Sequence, residues 1–142
     1  MAFVRFVKCG FASGAALIFS LAAGCDNPAA MNESSPNVKH ITQGEFTEEV
    51  TACEQPVVVD FYATWCARCR VLSPMLDGVA AGYTNKIKFV KVNLDESPGL
   101  AQNYQVEELP VVLLFKNGKL AARISGIPTE AELKEKLDAL AK

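Results

Sequence analysis

The hexapeptide Trp65-Cys66-Ala67-Arg68-Cys69-Arg70 constrains this chain more than any other stretch. Before it runs Val57-Val58-Val59-Asp60-Phe61-Tyr62-Ala63, apolar but for one carboxylate, which reads as a strand buried on both faces. After it Leu72, Leu76 and Val79 recur at helical spacing, and Pro74 within the pattern is expected to kink the helix. Two cysteines three residues apart at a strand-to-helix junction are the signature of a dithiol that cycles with its disulfide. On a first helical turn they share one face, roughly 5–6 Å apart, within reach of a disulfide. The other chemistry open to such a pair is half of a zinc site. Zinc takes about four ligands. The remaining candidates are Cys53, the lone His40 and carboxylates without ligand spacing. Redox chemistry is therefore preferred, with no metal and no cofactor beyond the Cys66–Cys69 disulfide itself.

Residues 1–24 stand apart from any fold. Arg5 and Lys8 open them, Phe11 to Ala23 is apolar or small, and no charge falls between Cys9 and Cys25. This is the pattern of a secretory signal, shorter than the about 20 apolar residues of a membrane span. Leu21-Ala22-Ala23-Gly24-Cys25 resembles a bacterial lipobox, although its leucine sits one position early. In such lipoproteins the chain is cut before the cysteine, which is then acylated, so Cys25 is the expected lipid attachment. The alternative is an ordinary cleaved signal or an uncleaved anchor. Asp26 resembles the residue that keeps such lipoproteins in the inner membrane of some Gram-negative bacteria. Residues 25–37, rich in Asn, Ser and Pro, read as a flexible tether, and residues 38–142 as the folded domain. The expected location is the periplasmic side of the inner membrane, lipid-anchored, with a soluble periplasmic or secreted form as the alternative.

At 142 residues, 50% apolar and 21% charged, the chain has the length and composition of one globular domain. Its net charge is -2, and two units lower once Arg5 and Lys8 are removed with the signal. No Arg-rich or basic run occurs, which argues against nucleic acid as a partner.

Within the domain, Val38 to Ile41 suits a short edge strand, and Thr42 with Glu45 a capping box that opens a helix carrying Phe46, Val50 and Cys53. The helix after the cysteines is expected to reach about Gly82. Lys86 to Leu94 reads as a strand, Asp95 to Tyr104 as a loop and short helix, and Val111 to Phe115 as a second apolar strand. Asn117-Gly118 signals a hairpin turn, with Leu120 to Ile124 returning antiparallel. Thr129 and Glu132 form another capping box, before a helix with Leu133, Leu137 and Leu140 on one stripe. The order β-α-β-α-β-α-β-β-α predicts an α/β fold, a mixed sheet with helices on both faces.

These residues resemble the thioredoxin family across essentially all of 38–142. The segment from Asp60 through Cys69 is similar to the family's strand and active site, and Lys91 to Asp95 to its third strand. Leu109-Pro110 resembles the cis-proline element, and Phe115 to Gly118 the hairpin. The resemblance implies a thioredoxin fold, a five-stranded mixed sheet flanked by four helices, without the insertion of cytochrome-maturation relatives. It also implies site roles. Cys66 is the expected nucleophile and Cys69 the resolving thiol. Asp60, costly to bury as a charge, assists deprotonation of Cys69 from behind it; an exposed strand end is its alternative. Lys91 tunes Asp60, or is a solvated strand lysine. Leu109 and cis-Pro110 contact substrate backbone, although a proline opening an edge strand would also fit. Trp65 and Gly126 border the substrate groove, and Ala67 and Arg68 lie within it.

The family usually has Gly-Pro between its cysteines, where this chain has Ala67-Arg68. Loss of proline loosens the helix start, and the Arg68 cation favours a Cys66 thiolate and a more oxidising disulfide. Cys53 reads as a buried helix-end residue, with regulatory pairing as its alternative. The expected activity is reduction of protein disulfides outside the cytoplasm. Expected partners are disulfide-bearing client proteins and an upstream, membrane-borne thiol donor. A dithiol oxidase or isomerase, or a non-catalytic binding or chaperone-like subunit, are the alternatives.

Overall fold

The structure, a computed structural model, describes residues 35–142. The expected signal, Cys25 and most of the expected tether lie outside the described residues. Strands β1 (Val38–His40), β2 (Val57–Tyr62), β3 (Lys88–Asn93), β4 (Val111–Lys116) and β5 (Lys119–Ser125) form one sheet in the order β1-β3-β2-β4-β5. The first three are parallel, β4 runs antiparallel to β2, and β5 antiparallel to β4. A π-helical turn (Thr47–Thr51) and helices α1 (Ala67–Ala80), α2 (Pro98–Asn103) and α3 (Glu130–Leu140) complete the fold. This is the expected five-stranded mixed sheet with four helical segments.

The continuous apolar character of β2 follows from its central place. On one face Val58, Phe89, Val112 and Leu114 pack against Leu72 and Leu76 of α1 and Leu133 and Leu137 of α3. On the other, Val57, Val59 and Phe61 pack with Phe46, Val50 and Leu100 from the π-helical turn and α2. With both faces covered, no position on β2 needs a polar side chain facing water. Asp60 shares the α1 and α3 face with Val58, so its carboxylate lies beneath the helix that carries the cysteines.

Several expected elements differ. The helix expected from Thr42 begins later, as the π-helical turn, where the Ala52 N–H donates to Thr47 O at 2.7 Å. The Thr42 N–H donates to Glu45 Oε2 (2.9 Å), but the Glu45 N–H donates to the Thr42 carbonyl (3.2 Å) rather than to its hydroxyl, so only half of the box forms. The Thr129–Glu132 box is complete. Strand β3 starts at Lys88, two residues late, because the N–H groups of Lys86 and Ile87 both donate to Tyr83 O in the turn after α1. α1 ends at Ala80, two residues before Gly82, and Pro74 lies inside it. β4 is an interior strand, so Pro110 does not open an edge strand; it precedes β4 in a cis peptide with Leu109. Asn117 (φ 51°) and Gly118 (φ 73°) form the two-residue turn between β4 and β5 with both residues left-handed.

Candidate active site

The end of β2 turns directly into α1. The Cys66 N–H donates to Ala63 O at 3.1 Å, which closes the turn and makes Cys66 the N-cap of α1. Its Sγ accepts a hydrogen bond from the Cys69 N–H at 3.1 Å. Cys66 and Cys69 are joined as a disulfide, their Cα atoms 5.4 Å apart, and both are buried. A sulfur at a helix N-terminus faces unpaired N–H groups and the positive end of the helix dipole, which favours its thiolate once the disulfide is reduced. Among the described residues, no group of three or more His, Cys, Asp or Glu side chains is arranged to hold a metal ion.

Behind Cys69 lies a cavity of about 30 Å³ lined by Tyr62, Ala63, Thr64, Cys69, Arg70, Ser73 and Lys91. Lys91 is the register partner of Asp60 across β2 and β3, so both project from one face of the sheet. Asp60 is buried and its Oδ1 has no hydrogen-bond partner among the described residues. Burial pushes its carboxyl up to about 7; the Lys91 charge opposes this and Asp77 on α1 adds to it. Lys91 thus links Asp60 to the space behind Cys69.

A raised carboxyl pKa has a definite sign in stability. Between about 4 and 7 the folded state holds the Asp60 proton and the unfolded state does not. Asp60's contribution therefore favours the fold at acid pH and is lost as pH rises through that window. Asp60→Asn is expected to be more stable than the parent at pH 8 by a few kcal/mol, because each pH unit of that window is worth about 1.4 kcal/mol. The difference should narrow toward pH 4. Urea denaturation of both proteins across this range checks it, and a pH-independent difference would remove Asp60 as the titrating group.

Around the disulfide stand the expected groove residues. Trp65 is 70% exposed, yet fixed, because its Nε1 donates to Asp95 Oδ1 at 3.0 Å. Asp95 Oδ2 also accepts from Thr64 N and Oγ1, both at 3.2 Å. The bonds from Trp65 and Thr64 hold the Asp95 carboxyl below its usual range. Leu109 packs against the cluster of Ala63, Cys66 and Cys69. Pro110 O accepts from Gly126 N at 2.9 Å, tying the cis-proline to the end of β5. Gly126 (φ 81°) faces Arg68, whose Nη2 would lie 3.2 Å from a Cβ there. Ala67 is exposed at the first position of α1. The structure therefore gathers Cys66, Cys69, Leu109, Pro110, Gly126 and Arg68 around the disulfide, with Ala67 between the cysteines and Trp65 beside Cys66. Asp60 and Lys91 lie behind. Cys53 is buried in the opposite core, with Phe46 and Val50.

Sequence reasoning gives Thr64 and Arg70 no role although they lie in or beside the motif segment, and it does not place Asp95 at the site. One signal for Asp95 is present: the only tryptophan carries an indole N–H that prefers an acceptor, and a carboxylate closes the next strand.

A disulfide offered from the first turn of a helix, beside a cis-proline on this sheet order, is the mark of the thioredoxin-fold class. The chain belongs to the thioredoxin family, whose profile, described as Thioredoxin, matches residues 37–139. It is 40% identical over 106 residues to the chloroplastic M-type thioredoxin of Pisum sativum, covering 75% of this chain and 62% of that protein. It is 35% identical to the thioredoxin of Porphyra purpurea, over 72% of this chain and 95% of the relative. With thioredoxin 1 of a Nostoc species it shares 38% identity, over 69% and 92%. The chain thus spans about three-fifths of the length of the pea protein and nearly all of the other two.

Proposed function

We propose that this chain is a thiol:disulfide oxidoreductase that reduces protein disulfides through Cys66 and Cys69. The observation that carries this reading is the Cys66–Cys69 disulfide at the N-terminus of α1, with Cys66 Sγ accepting the Cys69 N–H. In the reduced protein the Cys66 thiolate attacks one sulfur of a client disulfide. A mixed disulfide forms and the other client sulfur leaves as a thiolate. Cys69 then gives up its proton, with Asp60 beneath α1 as its acceptor, and attacks Cys66 Sγ. The Cys66–Cys69 bond forms and the second client sulfur leaves. Two electrons pass from the chain's dithiol to the client, which ends with two thiols. A carboxyl with a pKa of about 7 suits an acceptor that must work near neutral pH. Lys91 sets its charge balance, and Leu109, before cis-Pro110, offers backbone to an extended client segment.

The site of action in this reading is outside the cytoplasm. Residues 1–24 act as a signal, Cys25 carries lipid, and the tether holds the domain at the periplasmic face of the inner membrane. Electrons reach the disulfide from a membrane-borne thiol donor. Recovery of only cytosolic clients in an intact-cell trap would contradict this location.

Insulin reduction by the reduced protein, with turnover when a chemical dithiol regenerates it, tests the activity. Arg68 sets the expected poise, since a cation near Cys66 stabilises the thiolate and so the reduced form. Equilibration against glutathione should give a potential above the about -270 mV of ordinary thioredoxin. A value at or below it would show that Ala67-Arg68 leaves the poise unchanged.

A further inference from the structure

Two exposed cations flank the disulfide. Arg70 borders the cavity beside Cys69 with Tyr62 and Lys91. Arg68 lies toward the other side, its guanidinium resting over Gly126, where the missing side chain leaves it room. Gly126 is bonded through its N–H to Pro110 O, and Ile127 beside it is 38% exposed. Arg68 is therefore at the rim where a client segment would lie along Leu109 and Pro110. Among the described residues its guanidinium takes part in no ion pair, and the Asp95 carboxylate on the Trp65 side is bonded to Trp65 and Thr64. An exposed arginine with no acid of its own, held beside the reacting sulfur, offers a planar two-pronged donor that matches a carboxylate.

We propose that Arg68 selects clients by charge, so that disulfides flanked by Asp or Glu react faster than those flanked by Lys or Arg. The proposal rests on the oxidoreductase reading above. Its range is short. The chain as a whole is acidic, with a net charge of -2, so an acidic client gains nothing from the long-range field. Screening confines Arg68's attraction to about 8 Å at physiological salt. What is read is therefore the residues next to the client's cysteines, not the client's net charge.

The test uses the reduced full chain and two synthetic peptides with the same internal disulfide, one flanked by Asp and one by Lys. Because both meet the same Cys66, any change in its nucleophilicity cancels in the ratio of their rates. At low salt the Asp peptide should react about three- to tenfold faster, as expected for one close charge pair near a surface. Arg68→Gln should bring the ratio to less than about twofold, and Arg68→Glu should reverse it. Salt at ~0.5 M should flatten the ratio in the parent protein. A parent ratio of one, or a ratio unchanged in Arg68→Gln, overturns charge selection while leaving the oxidoreductase reading intact. Reduction of neither peptide overturns both.

Discussion

Cys66→Ser is expected to reduce protein disulfides at less than about a thousandth of the parent rate, while its fold persists. The reacting species in thiol–disulfide exchange is a thiolate, and a serine hydroxyl does not ionise in the physiological range even at a helix N-terminus. The structural cost is small. Cys66 Sγ accepts one hydrogen bond, from Cys69 N–H, and a serine oxygen at an N-cap accepts the same bond well. The Cys66–Cys69 link also spans a sequence separation of only three, so its loss restrains little chain. Insulin turbidity with a circular-dichroism melt of the variant separates loss of chemistry from loss of fold. If Cys66→Ser keeps the protein's biological role, the domain acts as a binding module rather than a reductase.

Gly118→Ala is expected to cost about 3 kcal/mol or more and to lower the melting temperature by about 10–20 °C. Gly118 has a φ of 73°, which an L side chain resists, and a Cβ there would stand 2.0 Å from Thr51 O. That oxygen is backbone at the end of the π-helical turn, so no side chain can swing aside to make room. The β4–β5 hairpin would have to lift from this turn, loosening the contact between Phe46 and Phe115, whose ring centroids are 6.0 Å apart. Gly78 supplies the control. A Cβ at that exposed position of α1 meets nothing within 4 Å. Gly78→Ala should therefore stabilise by about 0.5–1 kcal/mol through helix propensity. Equal effects at the two positions would mean that the Thr51 contact is not what fixes Gly118.

Much of this molecule was legible in the chain because its strongest signals are local. The apolar run of β2, the Asn117-Gly118 turn and the Thr129–Glu132 box each depend on neighbours a few residues away. The CxxC geometry does too, since a helical turn sets the spacing whatever the surroundings. Other features depend on distant partners. Thr42 and Glu45 carry the letters of a capping box, yet the Glu45 N–H bonds the Thr42 carbonyl instead of its hydroxyl and the helix starts later, as a π-helical turn. Asp95 is an ordinary acid in sequence. It becomes a site residue only because the end of β3 comes level with the turn after β2, where Leu94 N bonds Tyr62 O at 2.9 Å. The seat of Arg68 over Gly126 likewise joins residues 58 positions apart, which no periodicity reports. The interior position of β4, which removes the edge-strand explanation of Pro110, needed the sheet order itself.

The central claim is that Cys66 attacks and Cys69 resolves. Cys69→Ser tests it most directly, because the mixed disulfide then has no internal thiol at the site to release it. Incubation of this variant with oxidised insulin, followed by peptide mass mapping without reduction, should find an insulin chain joined to Cys66. Cys53, buried beside Phe46 and Val50, should remain unmodified. An adduct on Cys53, or no adduct while the parent reduces insulin, would contradict the account.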